Sequence, residues 1–320
     1  MKYAAALAAI VAALSGGAAL AADSLKATIS HQAVFDSVFP TNALEKGYFK
    51  EQNLDVSFLF AAGGAETVQA TATGSTQIAT PASVHSVIAA YAKGSPVRIV
   101  GSQIIGSPDL YWYVRADGPI KQPKDLDGRK IAHSRPGSVS HMMIQNYAKQ
   151  LNIKPDMIAG GGLPAVRTML MTGQVDAAWG AVPFAMEGVR TGELKILFSG
   201  ADIEATRDVV SRVTIANADY LKTHRDVVRR YQIAYQKSVD AIYADFEGAL
   251  SRFAAANKLD LADVRQASRY FGDKATHALA PLKNLDEAIR QTMEFGLIKE
   301  PLTEAQKKEL VDIVYDPSKN

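Results

Sequence analysis

A mixed α/β chain built as two similar lobes facing one another across a cleft is the fold that this sequence predicts, on three observations. The first is a stretch that begins at Gly63. After the apolar run 54–60, Gly63-Gly64 lets the backbone turn and Glu66 suits the first turn of a helix; Gly74 stops that helix, and a strand over 76–80 ends at Pro81. The second is the return of this grammar in Gly161-Gly162-Leu163-Pro164, an apolar run to Met171, Thr172-Gly173, a strand over 175–179 and Pro183. Gly64 lies ten residues before Gly74, and Gly162 eleven before Gly173. Two copies are too few for a solenoid but fit two α/β units enclosing a ligand cleft. Any two strand–helix–strand units share glycine-rich turns, so spacing alone leaves that alternative open. The third observation is the length of 320 residues, which suits two domains of middling size better than one.

From the start of the chain, Met1-Lys2, the apolar run 4–14 and Ala19-Leu20-Ala21 follow the order of a secretory signal. The apolar run falls well short of the ~20 residues that span a bilayer. Cleavage after Ala21 would leave 299 residues, and because Lys2 is the one charge removed, the formal net charge of +2 becomes +1. That balance argues against nucleic acid as a partner. The chain has no cysteine, which excludes disulfides, thiolate metal sites, cysteine nucleophiles and a lipid-bearing cysteine at the cleavage point. The expected product is a free, soluble, exported protein in the periplasm.

Residues 25–30 alternate as a first strand should, and lead into His31-Gln32-Ala33-Val34-Phe35-Asp36. A helix follows Pro40, its end marked by Lys46-Gly47-Tyr48-Phe49, and Leu54 begins the next strand. The string ALEKGYFKEQNLDV from Ala43, followed by GGAE and TGSTQIAT, resembles the solute-binding proteins of the nitrate, sulfonate, taurine and pyrimidine-precursor importers, the SsuA/THI5-like family. The resemblance continues through a helix over 85–93, strands over 97–102 and 110–115, and IKQPKDLDGRKIA from Ile120. It implies a periplasmic-binding-protein fold of the second type, two α/β lobes joined by two crossing segments.

The first crossing is expected near 114–118 and the second within 200–210. The chain then divides into a signal (1–21), the N-terminal part of lobe one (22–115), lobe two (116–203) and a helical C-terminal part of lobe one (204–320). In that last part Val228, Tyr231, Tyr235, Val239 and Ile242 recur at helical spacing, as do Leu261, Val264 and Phe271. Asn284 with Glu287, and Thr303 with Gln306, stand at capping-box spacing, with Gly296 a stop between the two helices. These residues read as packing.

Ligand chemistry is expected at strand ends facing the cleft. In lobe two, Ser134, Arg135, Gly137, Ser138 and Val139 precede a helix, where free amides, hydroxyls and a guanidinium make an anion cradle; the alternative is a capped helix with a surface arginine. The resemblance favours the cradle, since family members use the corresponding loop for ligand. From lobe one the matching contributors are His31, Gln32, Phe35 and Asp36, the turn at Gly63 and Gly64, and Thr80, Ala82 and Ser83. Gly162 repeats the glycine turn, and Trp179 takes the place of Thr80 in the lobe-to-lobe echo, so its indole reaches the cleft unless it is a core residue. Glu66 either favours its helix start or selects a ligand amine, and His31 either contacts ligand or is an ordinary loop residue. Trp112, flanked by Tyr111 and Tyr113 in an alternating strand, has the same two readings, with core the favoured one.

The six histidines, at 31, 85, 133, 141, 224 and 277, form no HExxH pair; no phosphate loop ending in GKS or GKT and no GxSxG elbow occurs. The cysteine-rich motif associated with the thiamine-precursor synthases of the family is absent. The sequence therefore predicts a monomeric binding protein and not an enzyme, without cofactor or metal. Its partners would be a small-molecule ligand and the membrane permease of an ABC importer. The expected ligand is an organic sulfonate or carboxylate, aromatic ones included; the alternatives are a neutral pyrimidine-like thiamine precursor, the role of a ligand-loaded sensor, and, last, a THI5-like biosynthetic enzyme.

Overall fold

The computed structural model describes residues 21–319, so the expected signal segment, apart from Ala21, lies outside the described residues. The strands are β1 (Asp23–Ile29), β2 (Leu54–Phe60), β3 (Ile78–Ser83), β4 (Val97–Ile105), β5 (Leu110–Arg115), β6 (Lys130–His133), β7 (Asp156–Ala159), β8 (Ala178–Ala181), β9 (Leu194–Ser199) and β10 (Val210–Asn217). One sheet has the order β2-β1-β3-β10-β4, with β1 parallel to β2 and β3, and β10 antiparallel to both of its neighbours. Strands β8-β5-β9 form an antiparallel trio, and β6 pairs in parallel with β7. The Ala132 amide donates to the Ala177 carbonyl at 2.8 Å, and Ile131 bridges Ala177. The second sheet therefore reads β7-β6-β8-β5-β9 and repeats the first strand for strand, antiparallel member included.

Local chemistry sets these elements. The helices Gly64–Ala72 and Leu163–Met171 end before Gly74 and Gly173, whose φ of +76° and +71° place them in the left-handed region that glycine adopts without strain. Strand β3 differs from its expected end at Pro81 and runs on to Ser83. The proline has no amide to give, and β10 accommodates it with a shift of register between Val213 and Ile215. The tyrosines and tryptophan of β5 are fully buried, and Trp112 stacks on Phe198 at 4.7 Å.

Strand β5 was expected to precede the crossing, yet it pairs with β8 and β9 in the second sheet. The chain thus passes between the lobes at 106–109 and returns through 200–209. In the helix Ala218–Ala244, which kinks at His224 (φ −125°, ψ 32°), Val228, Tyr231, Tyr235, Val239 and Ile242 are all buried. Thr303 and Gln306 form a capping box, but Asn284 does not cap its helix: at φ 50° its side chain instead donates to the Asp208 carbonyl at 2.9 Å.

Candidate functional site

Between the two sheets the strand ends enclose a cavity lined from lobe one by Ser30, His31, Asp36, Gly63, Gly64, Pro81, Ser83 and Arg212, and from lobe two by Leu110, Ser134, Ser138, Val139, Ser140, Trp179 and Ala181. It is nearly shut. About 380 Å³ of atom-free space lies in the cavity and its mouth together, but the centre of a water molecule can sweep only about 30 Å³ of it, room for roughly two waters.

Contacts across the cleft account for the closure. Glu66 Oε1 pairs with Arg135 Nε, and the Gly137 carbonyl accepts from Ser83 Oγ and Ser86 Oγ at 2.9 Å each. The Phe35 amide donates to the Val182 carbonyl at 2.9 Å. A Cβ on Gly63 would stand 2.9 Å from Ser134 Oγ, so a larger residue in the first lobe's turn would make that hydroxyl turn aside.

Of the residues singled out in the sequence, His31, Asp36, Gly63, Gly64, Ser83, Ser134, Ser138, Val139 and Trp179 stand in the cavity wall. The others do not. Gln32 is exposed, and Phe35 packs edge-on against Phe253 and Phe271 in the core. Thr80 bonds to Thr214 within the sheet at 3.0 Å, and Ala82 is buried opposite Val213. Gly137 touches the other lobe through its carbonyl, and Gly162 caps its helix beside Ala62.

The expected anion cradle is turned inward. Ser138 Oγ accepts from the His141 amide at 3.2 Å as the helix cap, and Ser140 Oγ accepts from the Ser134 amide at 3.0 Å. Arg135, with half of its side chain exposed, is held by Glu66 and does not reach the cavity, because an acid at the same height on the facing lobe attracts it first. Arg135→Ala is therefore expected to loosen closure and weaken every ligand by a similar small factor, corresponding to about 0–1 kcal/mol as for other exposed pairs. Titration calorimetry with an acid and its amide checks this: a loss confined to the acid would restore the cradle.

A charged group that the sequence reading missed lies at the cavity floor. Arg212 of β10 is buried; its Nη1 donates to Asp36 Oδ1 at 2.7 Å and to Asp109 Oδ2 at 2.8 Å, while Ser30 Oγ donates to Asp36 Oδ2 at 3.2 Å. Burial raises Asp36 to about 7, against the pull of Arg212 and with the repulsion of Asp109. An arginine in a strand buried on both faces must find a buried partner.

His31 meets Trp179 edge-to-face across the cleft, ring centres 5.6 Å apart. Its ring nitrogens are shielded from water and have no hydrogen-bond partner of good geometry. Burial, then Arg212, lowers it from 6.5 to about 4. Burial also lowers His85 and His133 to about 4, and His141 and His277 below their usual value. A histidine so depressed stabilises the fold above 6.5, and that stability is lost as pH falls through 4; Asp36, raised, acts with the opposite sign up to about 7. The histidines outnumber it, so the melting temperature is expected to fall between about pH 6.5 and 4. A flat profile by scanning calorimetry would show that these rings are solvated.

Among the described residues no group of three or more histidine or acidic side chains could hold a metal ion, and no helix is long and apolar enough to cross a membrane.

Two lobes of matching strand order closed over a cavity at their strand ends define the periplasmic-binding-protein class. Within that class the chain belongs to the NMT1/THI5-like family, whose model matches residues 37–249. Solved structures that share the fold include two binding proteins. One is the alkanesulfonate-binding protein SsuA of Xanthomonas axonopodis pv. citri bound to MOPS, with a TM-score of 0.72 at 15% identity, covering 85% of this chain and 90% of that one. The other is the periplasmic nitrate-binding protein NrtA of Synechocystis, with a TM-score of 0.70 at 15% identity, covering 90% and 85%. A curated relative from Saccharomyces cerevisiae, 4-amino-5-hydroxymethyl-2-methylpyrimidine phosphate synthase THI13, is 26% identical over 219 residues, 63% of this chain. The match spans 62% of that relative's length. These relatives overturn one expectation: the sequence was read as that of a non-enzyme because no catalytic constellation is visible, yet the curated relatives are named as synthases.

Proposed function

We propose that the chain captures a small heteroaromatic solute, uncharged or weakly basic, between its lobes, closes over it, and delivers it to the permease of an ABC importer after export to the periplasm. One observation carries the choice of ligand: the cation in the cavity wall, Arg212, is shared by two carboxylates, and Arg135 is held by Glu66. An organic anion, the ligand first expected, would therefore enter a site with no guanidinium to spare and a surplus of acid. The hydroxyls of Ser30, Ser83 and Ser134, the imidazole of His31 and the indole of Trp179 suit a flat polar ring instead. The fold neighbours support the receptor role, and the pyrimidine in the relatives' names supports the ligand class.

A thermal-shift screen of pyrimidines, sulfonates and carboxylates tests the reading. A pyrimidine at about a hundredfold its dissociation constant should stabilise the protein by about 2.7 kcal/mol. Stabilisation by sulfonates alone would reverse the choice. The synthase names favour a second reading, in which the same cleft holds a pyrimidine phosphate as product. Mass spectrometry of the small molecules formed on incubation separates the two, since a receptor makes no new pyrimidine phosphate.

A further inference from the structure

The turn that lobe two presents to lobe one is held from behind by a histidine. The Gly137 carbonyl accepts from Ser83 Oγ and Ser86 Oγ of lobe one, and the Gly137 amide donates to His141 Nδ1 at 3.2 Å. With a φ of +77°, and with Leu297 of lobe one 3.4 Å from where a Cβ would stand, Gly137 is pressed against the facing lobe. An imidazole that accepts at Nδ1 carries its proton on Nε2. Gln145 lies 3.2 Å from that Nε2, and its Oε1 is shielded and lacks a donor, so a half-turn of the amide lets Oε1 take the Nε2 proton. The neutral ring is thus engaged on both nitrogens. A second proton, on Nδ1, would set two donors face to face and cost the turn its support.

We propose that His141 is a pH-sensitive catch on the cleft: with its ring neutral the Gly137 turn clasps lobe one, and protonation in mild acid releases the turn, so that the lobes part. Two further histidines reinforce the release. His133, at the end of β6, lies against His141 with ring centres 4.3 Å apart. His85, on the lobe-one helix Val84–Ala92 that also carries Ser86, feels a charge on His141 across the interface. Like charges in so shielded a space repel, and the second pair spans the lobes. In the closed form burial holds all three rings below the ordinary histidine value, His85 and His133 at about 4. Opening admits water and lets them return toward 6.5. Closure therefore has its full support above about 6.5 and loses it as pH falls toward 4.

The charged groups on the elements around His141 are engaged elsewhere. On the helix Leu285–Glu294, Glu294 is held by Lys149 and Arg290, and Glu287 by Arg290. On the turn itself Arg135 is held by Glu66. Strand β8, beside β6, has no titratable side chain, and Asp176 is bound to the Lys130 amide at the far end of β6. Asp202 and Glu204, in the return crossing, lie by Gln150, about 13 Å further along the helix Val139–Leu151. His31 of the cavity wall stands beside Trp179 and Arg212 instead. Among the described residues of these elements, none brings a free carboxylate into contact with His141.

The test needs no ligand, so its outcome is separate from the reading of the cleft as a solute site. Because the chain has no cysteine, Ser75→Cys and Gln174→Cys, exposed just beyond the matching helices of the two lobes, supply the only thiols for a fluorophore pair. Single-molecule energy transfer between pH 7.5 and pH 5.0 counts closed and open chains, with circular dichroism at each pH to verify the fold. The ratio of closed to open chains is expected to fall about tenfold over this range. His141→Asn keeps an acceptor in the place of Nδ1 but cannot titrate, and should lose most of that fall. Ser86→Ala, which removes one hydroxyl of the clasp and serves if the first variant misfolds, should lower the closed fraction at every pH with the slope unchanged. A closed fraction independent of pH, a chain open at every pH, or the same slope with His141→Asn overturns the proposal. So does a closed fraction that Ser86→Ala leaves unaltered.

Discussion

Arg212→Met is expected to cost about 3–5 kcal/mol of folding stability at neutral pH, the largest effect of any single change at this site. The substitution keeps the bulk of the side chain and removes its charge, so Asp36 and Asp109 are left in a buried space without their counter-charge. The penalty should shrink in acid, where Asp36, raised by burial, sheds its charge. Urea unfolding monitored at pH 7 and pH 4.5 measures both quantities. Adding Asp36→Asn and Asp109→Asn should recover most of the loss, because a neutral floor needs no guanidinium. A loss below about 1 kcal/mol at neutral pH would mean that water reaches the cluster and solvates it.

Gly200→Val should disturb the relation of the lobes more than it disturbs either lobe. A Cβ there would stand 2.1 Å from the Ser107 carbonyl oxygen and 2.9 Å from Met143 Cε, so the two crossing segments, which abut at this point, would have to separate. Overpacking of this kind costs about 1–3 kcal/mol. Part of it can be relieved by rotating the lobes apart, with the Ser107–Ser211 hydroxyl contact of 2.5 Å opening alongside. Small-angle scattering should therefore give a larger radius of gyration for the ligand-free variant, together with weaker ligand binding. Gly162→Ala is the control, since its Cβ would find ordinary contacts 3.8 Å from Ala62. An unchanged radius with the same loss of stability would place the strain inside one lobe.

What the sequence discloses here is what short-range physics controls. The turns at Gly47, Gly74, Gly173 and Gly296 have positive φ and stand where helices stop, and the apolar face from Val228 to Ile242 is buried as its spacing requires. What it conceals depends on partners far away along the chain. Arg135 looks like an anion ligand until Glu66, 69 residues earlier, is seen opposite it. Arg212 gains its meaning from Asp109 and Asp36, 103 and 176 residues distant. Strand β5 reads as a strand in either lobe, because an alternating segment does not name the neighbour it pairs with. Asn284 and Glu287 had the spacing of a cap, but Asn284 turned to Asp208 and Glu287 to Arg290.

The exchange of strands between the sheets bears on the order in which the chain can assemble. Lobe two is continuous from β5 to β9, so its sheet has all its members once residue 199 has been made. Lobe one cannot close at that stage: β10 lies in the interior of its sheet, between β3 and β4, and pairs Val213 with Ala82 across a sequence separation of 131. Until β10 arrives, β3 and β4 present bare edges to any other strand, and the apolar segments beneath them stay open. A nascent chain halted between residues 200 and 209 would thus carry one finished lobe and one adhesive half-sheet, the form on which a holding chaperone would have the most surface to grip.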